Sequence, residues 1–317
     1  MKIFLTGGSG FVGQSLIPDL LKQGHEVFAL ARSETSQQKV QAKGAQAVSG
    51  DLLNIKAYQS AIKGMDAVVH VAAKLEMWGK YEDFYQANVV ATLALAKLAE
   101  AAAVKRFVYI SAAAVVADGQ PLIDIDEAYQ PVQLPVDHYS RTKALAEQEL
   151  LNLPGQMQKI VLRPPMIWGP AMPMIESFRE TIEKNGFPTI GAKDHSLATI
   201  HVQNLLEAIQ KALESKQKQG IYFVTDGDKR PLRLFLKELA KGYGLDTGNR
   251  RIPRVLALTM ARLLESVWGA FNLKGAPPIT RSMVYLMGTE FSISDRKARQ
   301  ELGYRNRISV EEGLARL

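Results

Sequence analysis

Tyr139 and Lys143 stand four positions apart in the segment YSRTK, so a helix would place them on one face. A free tyrosine has a pKa of about 10, which is too high for proton exchange near neutral pH. An ammonium group beside the phenol stabilises the phenolate and lowers that pKa. The pair is therefore a candidate catalytic site that exchanges a proton with a carbonyl or alcohol oxygen.

Ser111 is a further polar candidate. It ends the apolar segment RFVYIS, and three alanines, Ala112 to Ala114, follow it. A hydroxyl at a strand end can donate a hydrogen bond to a reacting oxygen, but serine is also an ordinary residue where a strand turns into a loop. Which role Ser111 has depends on the elements around it.

Short apolar segments alternate with helical patterns along the first part of the chain, and residues from about 228 onward are mostly helical in pattern. This alternation predicts an α/β fold with a doubly wound parallel Rossmann sheet and a smaller, mostly helical C-terminal substrate lobe. Two long helices are predicted at about 82–103 and 137–152, and the second carries Tyr139. The predicted strands are 2–6, 26–31, 45–50, 66–72, 106–111, 159–163 and 221–225.

The alternation stops after Arg163, where the Pro- and Met-rich segment PPMIWGPAMPMI begins. We therefore predict a dinucleotide-binding Rossmann domain over residues 1–165, with a return segment at about 196–226. The substrate-binding lobe is predicted over 166–195 and 227–317. His201, at the start of HVQN, is predicted to be a domain-contact residue, since it opens a helix away from Tyr139.

The segment TGGSGFVG follows the first strand directly and opens the first helix. Gly7, Gly10 and Gly13 allow a tight turn, close approach of a pyrophosphate and close contact between helix and strand. Phe11 and Val12 begin the helix whose N-terminus attracts the anion. The segment predicts a nicotinamide dinucleotide site, in which the cofactor transfers hydride to carbon while the tyrosine transfers a proton to oxygen.

The end of the second strand favours NADP over NAD. NAD sites usually have an acidic residue there, about twenty residues after the glycines, but this chain has Ala31 followed by Arg32. The planar fork of an arginine can pair with a 2′-phosphate, which an unpaired carboxylate would repel. In the alternative, Arg32 is solvated and Glu34 binds the ribose.

Further cofactor contacts are predicted after the third and fourth strands. Asp51, followed by Leu52, could accept a hydrogen bond from the adenine amino group or cap the next helix. Ala72, Ala73 and Lys74 follow the fourth strand, where small residues let the backbone approach the ribose of the cofactor.

Together these segments resemble the extended short-chain dehydrogenase/reductase superfamily over nearly the whole chain. The motifs that resemble it are TGGSGFVG, GDL, HVAAK, NVVAT, YSRTK and LRPPMIWGP. The segments KLEMWGKYEDFYQANV, HVQNLLEAI, YFVTDGDKRP and KARQELGY are most similar to its 3β-hydroxysteroid dehydrogenase and dihydroflavonol-reductase-like branch, within the NAD-dependent epimerase/dehydratase group. That branch mostly interconverts alcohols and ketones on apolar substrates. The resemblance implies that Tyr139 and Lys143 are the catalytic pair. The residues that it places beside the cofactor, in addition to those above, are Asn88, Ser111, Tyr139, Lys143, Pro164, Pro165 and Ile167.

One position departs from the pattern of the family. Its fifth strand usually ends in two hydroxyl residues, and the second binds the substrate carbonyl; here that position is Ala112. Three explanations stay open: Ser111 is shifted into the role, another polar group polarises the carbonyl, or the protein is a sensor that binds NADP without efficient turnover. A nucleotide-sugar epimerase or dehydratase of the same fold is a further alternative, disfavoured by an apolar second lobe.

Apolar side chains in the second lobe predict a lipophilic ketone or alcohol as substrate, either sterol-like, aromatic or alkyl. Leu256, Met260, Leu263 and Val267 recur at helical spacing, and they are expected to pack as an ordinary helix, to line an apolar pocket or to lie against a membrane surface. Four residues after the nicotinamide segment could adapt around a lipophilic ligand: Met166, Trp168, Met172 and Met174.

The chain has 317 residues, of which 47% are apolar and 22% charged, an ordinary globular composition. It has no cysteine, which excludes disulfides and thiolate metal sites and favours a reducing compartment such as the cytoplasm. We predict no metal. The net charge of +7 is spread along the chain, which favours anionic ligands over nucleic acid as partners. The two long helices are of a kind that often builds homodimers in this superfamily.

Overall fold

The computed structural model describes residues 1–173, 175–185, 187–191 and 194–317. The strands are β1 (Lys2–Thr6), β2 (Glu26–Ala31), β3 (Gln46–Ser49), β4 (Ala67–His70), β5 (Arg106–Ile110), β6 (Leu122–Ile125), β7 (Gln158–Arg163), β8 (Met166–Trp168), β9 (Thr189–Ile190), β10 (Thr199–His201), β11 (Gln219–Phe223), β12 (Arg251–Ile252) and β13 (Phe291–Ile293). The α-helices are α1 (Phe11–Lys22), α2 (Glu34–Ala42), α3 (Tyr81–Tyr85), α4 (Ala91–Ala101), α5 (His138–Asn152), α6 (Ile175–Asn185), α7 (Val202–Glu214), α8 (Leu232–Gly242), α9 (Arg254–Phe271), α10 (Arg281–Met287) and α11 (Val310–Leu314).

Seven parallel strands form the central sheet in the order β11-β7-β5-β4-β1-β2-β3. The direction of winding reverses between β1 and β4, and such a switch point leaves a crevice for a ligand at the carboxyl ends of the strands. Leu5 of β1 pairs with Ala29 on one side and Val69 on the other, so the loops after β1 and β4 leave the sheet side by side. The doubly wound parallel sheet predicted from the sequence is confirmed.

The ends of several elements differ from the predictions. Strand β11 begins and ends two residues earlier than 221–225, while β1 and β2 have the predicted bounds. The predicted helix 82–103 is instead α3, a π-helical turn over Gln86–Val90, and α4. Turns of this kind are rare and occur frequently at functional sites.

Helices cover both faces of the sheet. Leu16 of α1 and Ile209 of α7 belong to the apolar layer on one face, whereas Leu95 of α4 and Leu150 of α5 belong to the layer on the other. All four are fully buried, and each such side chain contributes about 1.5–3 kcal/mol by leaving water. This packing fixes the helix that carries Tyr139 against the sheet.

The C-terminal part combines α8 to α11 with the short strands β12 and β13, which pair in parallel with β9 and β6. The expectation that Leu256, Met260 and Leu263 pack as an ordinary helix is wrong, because α9 buries Ala257 and Ala261 and leaves these three side chains exposed to solvent. Within the described ranges, no helix is both long and apolar enough to cross a membrane.

Trp168 and Met172 are buried in the core, so they do not adapt around a ligand as expected. The indole Nε1 of Trp168 donates to Asp226 at 2.7 Å, and the indole packs edge-on against the ring of His201 at 4.7 Å between centroids. His201 thus has the packing contact expected of it. Met174 lies outside the described residues.

Candidate active site

The glycine-rich loop after β1 has contacts that a side chain would break. Gly7 has a φ of 75°, and a Cβ there would lie 2.7 Å from the backbone nitrogen of Ala72. A Cβ on Gly13 would lie 2.5 Å from the Cα of Gly8. Backbone atoms of the loop after β1 are therefore in direct contact with those of the loop after β4 and of the first turn of α1, with no side chain between them.

The first turn of α1 is open to an anion. Gly10 caps the helix in an extended conformation and, as a glycine, has no side chain that could accept from the first-turn N–H groups, which belong to residues such as Phe11 and Val12. Free N–H groups at a helix N-terminus bind phosphate groups. The shape and the polarity of this loop fit the pyrophosphate of a dinucleotide.

Arg32 and Asp51, which follow β2 and β3, lie together at the surface. Arg32 NH1 is 3.4 Å from Asp51 Oδ2, and the arginine side chain is 79% exposed. So long and exposed a pair is weak, so the guanidinium can turn toward an anion at little cost. Asp51 Oδ1 accepts the N–H of Leu53 at 2.9 Å, which caps a turn, and the carbonyl of Leu52 accepts the Tyr58 hydroxyl at 3.1 Å.

Asn88, which is buried within the π-helical turn, joins the loop after β4 to α5. Its Oδ1 accepts the N–H of Lys74 at 2.8 Å, and its Nδ2 donates to the Lys74 carbonyl at 3.2 Å and to Thr142 Oγ1 at 3.1 Å. Both amide donors and the oxygen are engaged. Asn88 therefore fixes the backbone that contains Ala72, Ala73 and Lys74 relative to α5, the helix of Tyr139 and Lys143.

Tyr139 lies in the first turn of α5, and Asp137 caps that turn. Asp137 Oδ1 accepts the N–H of Ser140 at 2.7 Å, while Oδ2 accepts the hydroxyls of Ser140 and Ser282, each at 3.0 Å. The cap determines where α5 begins. Because Ser282 belongs to α10, the same carboxylate ties the second lobe to the helix of Tyr139.

Lys143 is almost completely buried below Tyr139. Its Nζ donates to the carbonyl of Ile110 at 2.7 Å and lies 4.0 Å from the centre of the Tyr109 ring. Burial lowers the pKa of Lys143 to about 7, although attraction by Glu147, one turn further along α5, opposes the shift. Glu147 is itself paired with Arg163 at 2.6 Å. Lys143 thus exchanges its proton near neutral pH.

The pKa of Tyr139 is raised, not lowered as the sequence predicted. Burial of the phenol is the largest cause, and the carboxylates of Asp137 and Glu147 add to it. The ammonium of Lys143 does not reverse the shift, since it is directed at the Ile110 carbonyl and is partly deprotonated near neutral pH. The phenol is therefore protonated at neutral pH, which is the form that donates a proton.

Ser111 lies directly after β5, one residue beyond the carbonyl that Lys143 binds. Its N–H donates to the carbonyl of Leu162 at 2.8 Å, but within the described part of the chain its buried Oγ has no hydrogen-bond partner. An unsatisfied buried hydroxyl costs about 1–3 kcal/mol, so it calls for a functional explanation. Ala112 is also buried and offers no donor from its side chain.

The segment after β7 lies against this end of β5. The carbonyl of Pro164 accepts the N–H of Ala113 at 2.8 Å. Pro165 is half-buried, and Ile167, in β8, packs against the core of the sheet. The structure thus brings the predicted nicotinamide segment beside Ser111.

A buried polar network beside the pair was missed in the sequence. His70, at the end of β4, contacts Thr6 Oγ1 through Nδ1 at 2.6 Å and Thr92 Oγ1 through Nε2 at 2.8 Å. Thr6 Oγ1 also accepts the N–H of Ala72 at 3.2 Å. Burial, with a smaller effect of Lys143, lowers the pKa of His70 to about 3, so the ring is neutral. The feature of the sequence that could have predicted this network is a histidine at the end of the apolar strand AVVH.

His138, the residue before Tyr139, was also missed. Its ring packs edge-on against Tyr81 and Phe84, at 5.4 and 6.1 Å between centroids. Its buried Nδ1 finds no partner among the residues that the structure describes. The Nδ1 of the half-buried His138 is thus, like the Ser111 hydroxyl, a buried polar atom without a partner near the predicted catalytic tyrosine.

Known proteins are similar to this chain in sequence and in fold. Residues 4–254 match the 3-beta hydroxysteroid dehydrogenase/isomerase family. The chain is 37% identical to a 4-hydroxy-2-methyl-3-oxo-4-farnesyl-3,4-dihydroquinoline-1-oxide ketoreductase of Stigmatella aurantiaca, over 99% of this chain and 95% of that protein. It is 33% identical to a decarboxylating sterol-4-alpha-carboxylate 3-dehydrogenase of Dictyostelium discoideum, over 100% of this chain and 99% of that protein.

The fold of this chain is also similar to that of a solved structure. A UDP-glucuronic acid 4-epimerase from Bacillus cereus, in complex with NAD, has a TM-score of 0.74 over 99% of this chain and 96% of that one, at 18% identity. The chain therefore belongs to the 3β-hydroxysteroid dehydrogenase/isomerase family, within the extended short-chain dehydrogenases/reductases. It is an NAD(P)-dependent oxidoreductase of the extended type.

Proposed function

We propose that this protein is an NADP-dependent oxidoreductase that interconverts a ketone and a secondary alcohol on an apolar substrate, with Tyr139 as proton donor and acceptor. One observation supports the proposal: Lys143 Nζ donates to the carbonyl of Ile110 at the carboxyl end of β5, one residue before Ser111, whose buried hydroxyl has no partner among the described residues. Tyr139 lies one turn before Lys143 on the same helix. The names of the similar ketoreductase and sterol dehydrogenase support the class of substrate.

The chain's own residues divide the proton chemistry between them. When bound, the nicotinamide supplies or accepts the hydride. Tyr139, protonated because its pKa is raised, gives its proton to the carbonyl oxygen during reduction. Lys143, with a pKa of about 7, provides the cation that stabilises the phenolate left behind. The hydroxyl of Ser111 donates to the carbonyl oxygen in place of the side chain missing at Ala112.

The preference for NADP rests on Arg32. Its exposed guanidinium, weakly held by Asp51, would pair with the 2′-phosphate, and no acidic residue takes the place of Ala31 at the end of β2. We expect Arg32→Ala to raise the dissociation constant of NADPH about tenfold or more while that of NADH changes little, since a charge-assisted pair contributes about 1.5–3 kcal/mol. Equal weakening of both cofactors would favour Glu34 at the ribose.

We propose that the remaining predicted cofactor residues line one path along the carboxyl edge of the sheet. We propose that the cofactor runs along this path, over the dinucleotide-binding domain 1–165, while residues 166–195 and 227–317 form the substrate lobe. The return segment at about 196–226 includes β11, which pairs with β7 in the central sheet. Going from the pyrophosphate and adenine toward the nicotinamide, the residues are Gly7, Gly10, Phe11, Val12, Gly13, Asp51, Leu52, Ala72, Ala73, Lys74, Asn88, Ser111, Pro164, Pro165 and Ile167.

The test is NADPH oxidation by the purified protein with a panel of aromatic, steroid and alkyl ketones. We expect turnover with at least one class, and a loss of about 10²- to 10⁴-fold in Tyr139→Phe, the usual contribution of a positioned acid. Tyr222→Phe is the matched control, because it removes the hydroxyl of a tyrosine on β11, which donates to Glu301.

A sensor is the second candidate, and Ala112 is the observation that favours it. Tight binding of NADPH with no turnover above the level of Tyr139→Phe, across the whole panel, would establish the sensor and refute the enzyme.

A further inference from the structure

Tyr109 lies on the face of the central sheet that is covered by α5, the helix of Tyr139 and Lys143. Side chains alternate along a strand, so Val108 and Ile110 of β5 belong to the apolar layer beside α1 and α7. Tyr109 belongs to the layer beside α4 and α5, and its side chain is fully buried. The ring is therefore held within the core directly below the helix of the predicted catalytic pair.

The ammonium of Lys143 lies over this ring. Nζ is 4.0 Å from the ring centroid, well within the distance of about 6 Å at which the negative face of an aromatic ring attracts a cation. The same Nζ donates to the carbonyl of Ile110 at 2.7 Å. Two consecutive residues of β5 thus fix the position of the ammonium, Tyr109 through its ring and Ile110 through its backbone.

His70 supports the ring from the neighbouring strand. His70 and Tyr109 are paired in the register of β4 and β5, and their rings stack at 5.6 Å between centroids with an interplanar angle of 17°. Contacts with Thr6 and Thr92 engage both ring nitrogens of His70. Because burial lowers the pKa of His70 to about 3, the imidazole supports the ring without repelling the ammonium of Lys143.

The charges around the ammonium compensate it only in part. Glu147, one turn further along α5, attracts it, but this carboxylate is itself paired with Arg163 of β7 at 2.6 Å. The phenol of Tyr139 on α5 and the imidazole of His70 on β4 also lie near, and both are uncharged near neutral pH. An ammonium that has left water therefore depends on the backbone carbonyl and on the ring of Tyr109.

We propose that Tyr109 is a positioning residue of this site: its ring face holds the ammonium of Lys143 in place and stabilises its charged form. That form is the one that stabilises the phenolate of Tyr139 after proton transfer, so the proposal rests on the catalytic roles proposed above. An aromatic residue that only filled space in the core would have no effect on the charge of the lysine.

The experiment changes the electrostatic potential of the ring while keeping its shape. Tyr109→Phe keeps the ring face, a trifluorinated phenylalanine at position 109 weakens its negative potential, and Tyr109→Leu removes it. The first measurement is the free energy of unfolding against pH, with and without Lys143→Met. The part of the rise that depends on Lys143 begins near its folded pKa of about 7, and it is measured without turnover.

We expect the rise to begin at the same pH in Tyr109→Phe as in the wild type. It should begin about one pH unit lower, or more, in the trifluorinated variant and in Tyr109→Leu, because a desolvated contact between a cation and a ring is worth about that much. The alkaline limb of kcat/KM against pH should move down by the same amount, since a neutral Lys143 no longer stabilises the phenolate.

A trifluorinated phenylalanine at position 107 is the matched control, because Phe107 is buried in the same layer of the same strand. If Tyr109→Leu does not fold, the fluorinated variant gives the comparison at constant shape. An onset that is unchanged in the fluorinated variant, or shifted equally by the control at position 107, would overturn the proposal. A wild type without turnover would refute the proposed function, and a shifted onset would then show a contact that has no catalytic role.

Discussion

Replacing Ser111 by alanine should move stability and activity in opposite directions. The hydroxyl is buried and has no partner among the described residues, so in the cofactor-free chain it is an unsatisfied polar group. If it donates to the reacting carbonyl, the same hydroxyl is one of the groups that lower the barrier. An ordinary structural serine with satisfied hydrogen bonds would give the reverse pattern for stability.

The two effects have different sizes. Removal of an unsatisfied buried polar group relieves about 1 kcal/mol, which corresponds to a rise in melting temperature of about 1–2 °C for a chain of 317 residues. Loss of one positioned donor to a developing oxyanion costs about 2.7–4 kcal/mol, which is about a 10²- to 10³-fold loss in kcat. Ser111→Ala should therefore be slightly more stable and far slower.

The assay combines urea unfolding of the cofactor-free protein with kcat and KM for the best ketone of the panel. Ala112→Ser in the Ser111→Ala background is the complementary variant, because it restores a hydroxyl at the position where the family has one. Recovery of kcat there would show that the two hydroxyls are interchangeable. A Ser111→Ala protein that loses more than about 1 kcal/mol of stability and keeps its turnover would refute the reasoning.

Three further predictions follow from the buried groups beside β5. Between pH 7 and about 10, Lys143 binds fewer protons in the folded chain than in the unfolded chain, because its pKa is lowered to about 7. The free energy of unfolding of the wild type should therefore rise with pH across that window, and urea titrations of Lys143→Met should lack this rise. His70 has a pKa of about 3 when folded, so the wild type should lose about 1.4 kcal/mol per pH unit below about pH 6.5 relative to His70→Gln; parallel acid titrations with equal slopes would contradict the neutral ring. Asn88→Ala should raise KM for NADPH more than it lowers kcat, because the backbone of Lys74 loses the two hydrogen bonds that it makes with the Asn88 side chain. Steady-state kinetics, with Asn152→Ala as control, would show whether the effect is specific.

Local patterns in the sequence were sufficient for the architecture. Apolar strands alternating with amphipathic helices predicted the parallel sheet, and the bounds of β1 and β2 were found to the residue. Strand ends such as that of β11 were displaced, because pairing with β7, not local propensity, decides where a strand stops. The same limit applies to the helix at 82–103, whose π-helical turn places Asn88 where it reaches Lys74 and Thr142.

The predicted pKa of Tyr139 shows a different limit. Sequence spacing placed Lys143 one turn away, which alone would lower the pKa of the phenol. The structure adds burial and two carboxylates, and it directs the ammonium at Ile110, so the pKa rises. Electrostatic effects of this size depend on depth and on distances across the fold, neither of which spacing along the chain contains.

The sequence by itself determined the fold class and the class of protein. The glycine-rich loop, the Tyr139–Lys143 spacing and the alternation of strands and helices are local patterns, which can be recognised without knowledge of the tertiary contacts. The tertiary structure decided which of those groups are unsatisfied or exposed. It left the hydroxyl of Ser111 without a partner, and it turned Leu263 to solvent while burying Ala261 two positions earlier. Burial and hydrogen bonding are properties of packed surfaces, and residues far apart in the chain form those surfaces only after folding.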